Sequence, residues 1–325
     1  MNTFRNKQAG LTMVEMMVAL AIGSFLMIGA VQIYSQSRQA FVVNESIARV
    51  QETAQFAMDT IEADLRMASN WGRNSRALAV EGRSIAGTPN PNALPEPNEC
   101  GDGWALDVAM TVDGDNNGYT LPCAAEGGLQ ANTDSFTVRR ATVAPVPLQA
   151  GRLQIQTTRI QGRLFADGLV PAGFSPVDST THNLLVNSYY VAADSNLIPG
   201  VPTLRRKSLG MVAGAPGIVD QEIAPGVENL QIQLGIDIDE DNTVDRYVNP
   251  GDPGDAIYDP TAAEYIPGAR VMTARVWLLV RGITQEIGIQ QVRGFQPGDI
   301  NLGVPNDTFR RIQISKTILL RNART

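Results

Sequence analysis

The chain is short of the residues that most chemistry needs. It has one histidine, His182, and two cysteines, Cys100 and Cys123, in 325 residues. His182 lies in the polar stretch Ser-Thr-Thr-His-Asn without a histidine companion, so it reads as a surface residue and not as a ligand or base. No G-x-x-x-x-G-K-S/T run is present to cradle nucleotide phosphates, and no G-x-S-x-G elbow to expose a nucleophile. Carboxylates are plentiful, but nothing singles out a hydrolytic pair, and the chain reads as a non-enzyme. Positive charge is also scarce: Lys and Arg total 26 against 33 Asp and Glu, a net charge of −7. Such a surface repels phosphates, which excludes generic nucleic acid binding. No proline precedes Pro89, and no internal repeat is evident.

What is present is ordinary for a folded protein. A hydrophobic fraction of 43% and a charged fraction of 18% rule out wholesale disorder. The length suits one sizeable domain or two small ones.

The amino terminus is the most informative segment. Arg5 and Lys7 precede an apolar run from Leu11 to Val31, long enough to cross a bilayer. Positive charge before the run holds that end in the cytoplasm, so the remainder is exported. Glu15 breaks the run, and an acid inside a membrane span costs roughly 2.5–3.5 kcal/mol on insertion scales. A carboxylate at this depth calls for a positive partner. Cleavage after Gly10 would create one, because Leu11 would then carry a free α-amino group about one helical turn from Glu15. The amine of the same chain or of a neighbouring subunit could serve, the latter setting axial register.

Gly10-Leu11-Thr12-Met13-Val14-Glu15, followed by this apolar run, resembles the leader of type IV prepilins and pseudopilins. The resemblance implies that prepilin peptidase cuts between Gly10 and Leu11, that the new terminus is methylated, and that Glu15 serves subunit docking. Leu11 departs from the phenylalanine most common at that position. Two other readings compete. Ala19-Leu20-Ala21 resembles an ordinary signal-peptidase site, although the apolar run continues through Val31 where a cleavage region should turn polar. An uncleaved anchor is the other.

Beyond the span, Ile47, Val50, Ala54, Met58, Ile61, Leu65 and Ala68 recur at steps of three and four and mark one apolar stripe on a helix. Glu45, Arg49, Glu52, Asp59, Glu62 and Asp64 take the other faces. The expected organisation is a leader over 1–10, a transmembrane or filament-core helix over 11–34, its amphipathic continuation over 35–70, and a β-rich head over 71–325. Gly23, Ser24 and Gly29 are places where the helix could loosen. Residues 84–99, rich in proline and asparagine, form a loop leading into Cys100. In an exported, oxidising setting Cys100 and Cys123 close a covalent loop, worth about 3 kcal/mol on the chain-entropy account. No thiol then remains for nucleophilic work.

Strand candidates lie at 135–143, 152–159, 184–193, 229–237, 270–281 and 311–321. Leu230, Ile232, Leu234 and Ile236 alternate with polar neighbours, and Ile312, Ile314, Ile318 and Leu320 share one parity interrupted by Lys316. The fold class is therefore α+β, one long N-terminal helix covering one face of an antiparallel β-sheet head, which the resemblance above implies is pilin-like. Residues 274–281, 309–322 and 134–140 look like the PilW family of minor pilins, as does the acidic loop below.

Asp237-Ile-Asp239-Glu-Asp241-Asn242-Thr243-Val-Asp245 sets oxygen donors at positions 1, 3, 5, 7 and 9 of a calcium-type loop, with Asn242 at the turn position. Thr243 would offer its carbonyl. Val248 occupies position 12, where a bidentate glutamate is usual, so affinity for Ca2+ should be weak. The plain alternative is a solvated acidic turn. Asp113-Gly-Asp115-Asn-Asn117-Gly118 begins alike, has no later carboxylate, and reads as a turn.

The family resemblance implies a minor pilin in the bacterial inner membrane, single-pass with a periplasmic head, later carried in a type IV pilus at the cell surface. Its implied partners are other minor pilins, the major pilin and prepilin peptidase. It would prime filament growth and sit near the tip, beneath an adhesin, with consequences for adhesion and twitching motility. A type II secretion pseudopilin of the J class is the nearest alternative. A membrane-anchored periplasmic binding protein or enzyme is a third.

Overall fold

A computed structural model describes residue 10, residues 12–286 and residues 292–323. The chain separates into two compact units, Met1–Arg49 and Val50–Thr325. A single helix, α1, spans Met13–Arg66, continuous through Gly23, Ser24 and Gly29. The absence of proline permits that continuity.

In the first unit no described residue is buried. Met13 is 85% exposed and Phe25 80%, so no protein surface covers this face. Apolar area this continuous is stable only in a lipid or protein environment outside the chain. Among the described residues this is the one helix long and apolar enough to cross a membrane.

In the second unit the last turns of α1 are amphipathic as expected. Val50, Ala54, Met58, Ile61, Leu65 and Ala68 are buried, with Ala57 beside them. The helix ends where Ser69 turns left-handed at φ 63°.

The head holds two sheets where one was expected. The first contains β1 (Val80–Glu81), β2 (Val112–Asp115), β3 (Ser135–Ala141), β4 (Gln154–Thr157), β5 (Gly162–Phe165), β6 (Thr180–Ala192), β7 (Thr203–Val212) and β8 (Ala215–Pro225). Its order is β1-β5-β4-β6-β3-β2, with β7 also pairing with β6 and β8 with β7. β6 is the organiser: Thr180–Asn183 pair with β4, Leu184–Tyr189 with β3, and Asn187–Ala192 with β7. The β1–β5 pair is parallel, unlike the rest. The second sheet is antiparallel, in the order β10 (Arg246–Val248), β9 (Val227–Asp237), β11 (Arg270–Arg281), β12 (Arg311–Leu319).

Every strand expected from the sequence is present, 270–281 with its expected ends and the others with shifted ones, while the short strands β1, β2, β5 and β10 and the longer β7 and β8 were not expected. Arg205, Arg206 and Lys207 in β7 and the prolines of β8 mask the alternation. These two strands form a hairpin whose central residues, Ala213 and Gly214, both have positive φ, the turn that suits strand twist.

One core joins the α1 stripe to Leu230, Ile232, Leu234 and Ile236 of β9, Ala274, Val276, Leu278 and Val280 of β11, and Phe136, Val138 and Tyr189 of the first sheet. The outer side of β9 is not solvent-facing as its alternation implied. Asn229 and Gln231 are buried and donate their side-chain amides to the Asn132 carbonyl at 2.6 and 3.2 Å. Asp134 follows, its carboxylate taking the Asn117 N–H at 2.8 Å and the Ile232 N–H at 2.7 Å. It stitches the first sheet to the second. Burial, with Asp299 and Asp252 adding to it, pushes its carboxyl up to about 7.

A second core gathers Trp71, Trp104, Leu106, Leu153, Ile155 and Val186 around Cys100 and Cys123, which form the expected disulfide. His182, expected at the surface, is buried at 2% exposure. Its Nδ1 lies 2.7 Å from the Thr142 carbonyl and its Nε2 3.0 Å from Thr180 Oγ1, and burial lowers its pKa. Gly72 is needed above it: φ is +88°, and a Cβ there would meet the imidazole at 2.5 Å.

Two acids expected on outward faces of α1 are instead buried. Asp64 accepts from Arg140 Nη2 at 2.6 Å, Asn187 Nδ2 at 2.7 Å and Tyr189 OH at 2.5 Å. Glu62 pairs with Lys316 Nζ and Arg66 Nη2, each at 2.5 Å. Lys316 interrupts the apolar parity of β12 because it reaches this partner.

Asp64→Ala leaves the Arg140 charge and two buried donors without their acceptor. It should destabilise the head by about 3–5 kcal/mol, read as a loss of melting temperature. Asp134 gives a pH dependence. The folded chain holds a proton that the unfolded chain gives up near the ordinary value of 3.8, so the stability it contributes is full below that value and lost as pH rises through about 7. The melting temperature of Asp134→Asn should therefore fall less steeply from pH 4 to 7 than that of the wild type; equal slopes would exclude Asp134 as the source.

Candidate functional site

Two segments carry the residues singled out by the sequence. At the start of α1, Thr12 and Glu15 form a reciprocal cap. The Thr12 N–H and hydroxyl both donate to Glu15 Oε2 at 2.9 Å, and the Glu15 N–H donates to Thr12 Oγ1 at 3.2 Å. Thr12-Met13-Val14-Glu15 is thus a capping box, a T-x-x-E signature that reading Glu15 only as a charge missed. The cap satisfies an amide that water would not reach in a membrane. Gly10 is exposed, while Leu11 and the leader residues before Gly10 lie outside the described residues.

The second segment is the loop between β9 and β10. The ladder closes it at its base, with Ile236 opposite Arg246 and the Asp245 N–H donating to the Ile236 carbonyl at 2.9 Å. Glu240 and Asn242 turn left-handed, with φ 64° and 68°. Asn242 therefore fills the turn position assigned from sequence.

Of the four proposed carboxylates, three converge. One carboxylate oxygen from each of Asp237, Asp239 and Asp245 lies within 4.8 Å of the others. Asp241 does not join them. Its Oδ1 accepts the Thr243 hydroxyl at 2.6 Å and the Thr243 N–H at 2.7 Å, bonds that hold its carboxyl below the usual range. These bonds use the N–H and hydroxyl of Thr243, not the carbonyl proposed as its ligand atom. Asp239 Oδ1 accepts the Asp241 N–H at 3.2 Å, and Asp245 Oδ2 the Ile238 N–H at 2.6 Å.

Asp237 is the unusual member. It is fully buried, the other two exposed. Its Oδ2 takes the Asn242 N–H at 3.0 Å and pairs with Arg270 Nη2 at 3.1 Å, while its Oδ1 is buried without a hydrogen-bond partner.

The other acidic stretch, expected to be a turn throughout, is strand over Asp113–Asp115, the end of β2, and turns only at residues 116–118. Asp115 accepts from Thr120 Oγ1 at 2.7 Å and the Thr120 N–H at 2.9 Å, and Asp113 pairs with Arg139 at 3.1 Å. Its carboxylates are thus tied within the head.

Comparison with known proteins adds two family matches. Residues 188–322 match the family described as Type IV Pilus-assembly protein W. Residues 5–31 match the prokaryotic N-terminal methylation motif. The first span includes the acidic loop, β11 and β12, whereas residues 134–140, likened above to the same family, fall before it. Among solved structures, a type IV-like pilin from Thermus thermophilus aligns with 12% identity and a TM-score of 0.35, over 85% of this chain and 99% of that one. No curated protein matches the sequence.

Proposed function

We propose that this chain, a type IV pilin-like protein with a PilW domain and a prepilin methylation motif, is a minor pilin that primes and enters a type IV pilus. Prepilin peptidase cuts it between Gly10 and Leu11, and the inner membrane holds it through the first half of α1 with the head in the periplasm. From there it joins other minor pilins and the major pilin.

The observation that carries this reading is the first unit itself. None of its described residues is buried within the chain, and Glu15 is the lone ionisable side chain between Leu11 and Val31. A plain anchor has no use for that carboxylate. A filament subunit does, because neighbouring helices supply the packing and a freed α-amine supplies the counter-charge. The capping bonds from Thr12 hold the carboxylate at the helix end while it awaits that partner.

Mass spectrometry of the protein from a piliated strain should find a chain beginning at methylated Leu11. A chain that retains Met1, or begins at Ile22, overturns the assignment. Glu15→Ala should leave processing intact and reduce the protein in sheared pili by an order of magnitude or more, measured by immunoblot. Glu15→Gln keeps the capping acceptor but removes the charge. Loss of incorporation in both variants assigns the effect to charge pairing, and loss in the alanine variant alone assigns it to the cap.

A further inference from the structure

We propose that the β9–β10 loop is a calcium site whose protein ligands are the carboxylates of Asp237, Asp239 and Asp245. The inference is independent of the pilus reading, since the loop belongs to the second unit and its geometry holds whatever the head assembles with.

Two observations carry it. The first is convergence: three carboxylates approach within 4.8 Å. Residues 237–245 hold five acids, and Arg270 is the one cation paired with them among the described residues. Like charges this close repel unless something positive sits between them. The second is the orphaned Oδ1 of Asp237, a buried oxygen with no donor on a side chain that is itself wholly buried. Leaving a charged acceptor unsatisfied inside a protein is costly, and native structures rarely do so without a ligand. Arg270 already neutralises Oδ2, so the chain supplies one cation where the cluster presents three carboxylates.

The donor chemistry selects the ion. All three ligands are hard oxygens, with no histidine or thiolate nearby to favour zinc or copper. Asp239 and Asp245 are exposed, leaving water free to complete a flexible shell of the kind calcium takes. Magnesium demands a tighter octahedron and gives up its waters reluctantly. Position 12 is Val248, buried in β10, so no bidentate glutamate contributes, and the site belongs in the weak range of extracellular modules.

Its effect follows from its place in the ladder. Asp237 ends β9 and Asp245 immediately precedes β10. An ion held by both staples the short edge strand Arg246–Val248 to the sheet. Asp241, committed to Thr243, shapes the loop without touching the ion.

The test uses the full-length protein in detergent micelles, stripped with chelator and dialysed. Adding about 5 mM calcium chloride should raise the melting temperature by roughly 3–5 °C over a control of matched ionic strength, and magnesium should do markedly less. Calorimetric titration should give one saturable site. The Asp239→Asn/Asp245→Asn double variant changes only exposed side chains, so it should fold and lose both responses, whereas Asp241→Asn should retain them. No calcium response in the folded wild type overturns the proposal, as does a full response in the double variant. Loss of the response in Asp241→Asn overturns the ligand assignment.

Discussion

Burying a carboxylate at the end of a helix is tolerable only if its partners are fixed around it, and Asp64 meets that condition from three directions. Arg140 of β3 and Asn187 and Tyr189 of β6 all donate to it. Because the lost hydration must be replaced in full, the helix can take only the rotation that delivers Asp64 to those donors. Glu62, two residues back and so on another side of the helix, pairs with Lys316 of β12 on the second sheet. Two neighbouring acids therefore fix the end of α1 against both sheets. Hydrophobic packing of Leu65 and Ile61 supplies the bulk of the attraction, but packing alone is permissive about rotation.

The helix meets two different solvents along its length. To Tyr34 it is almost wholly apolar and unburied, from Ser35 polar residues enter its faces, and from Val50 its apolar stripe is covered. A polar backbone in a membrane must satisfy itself, which an unbroken helix does, and the Thr12–Glu15 cap extends that satisfaction to the first turn. The same carboxylate serves the helix end locally and, in the proposed assembly, would meet a neighbouring subunit's amine; the two roles separate chemically because only the second needs charge.

Two buried aspartates show how environment decides which carboxylate oxygens find donors. Asp134 has both oxygens occupied by backbone N–H groups from two parts of the head, Asn117 and Ile232. It is a stitch, complete without further partners. Asp237 has one oxygen occupied and one empty of donors, beside two more carboxylates. The difference lies in which backbone amides the surrounding strands leave available, and the sequence around each acid does not disclose it.

Length, apolar periodicity and local capping are properties of neighbours along the chain, so the sequence alone determined the helix, its change from uniformly apolar to striped, the strands with clear alternation, and the disulfide. It also placed Asn242 at a left-handed turn. Folding decided what depends on residues far apart: the division into two sheets, the charged hairpin of β7 and β8, and the burial of His182, Glu62 and Asp64. It also chose which carboxylates of the acidic loop converge. Polar residues look alike along a chain whether water or a buried partner will satisfy them, because the partner, such as Arg140 for Asp64 or Arg270 for Asp237, arrives only when distant strands are brought together.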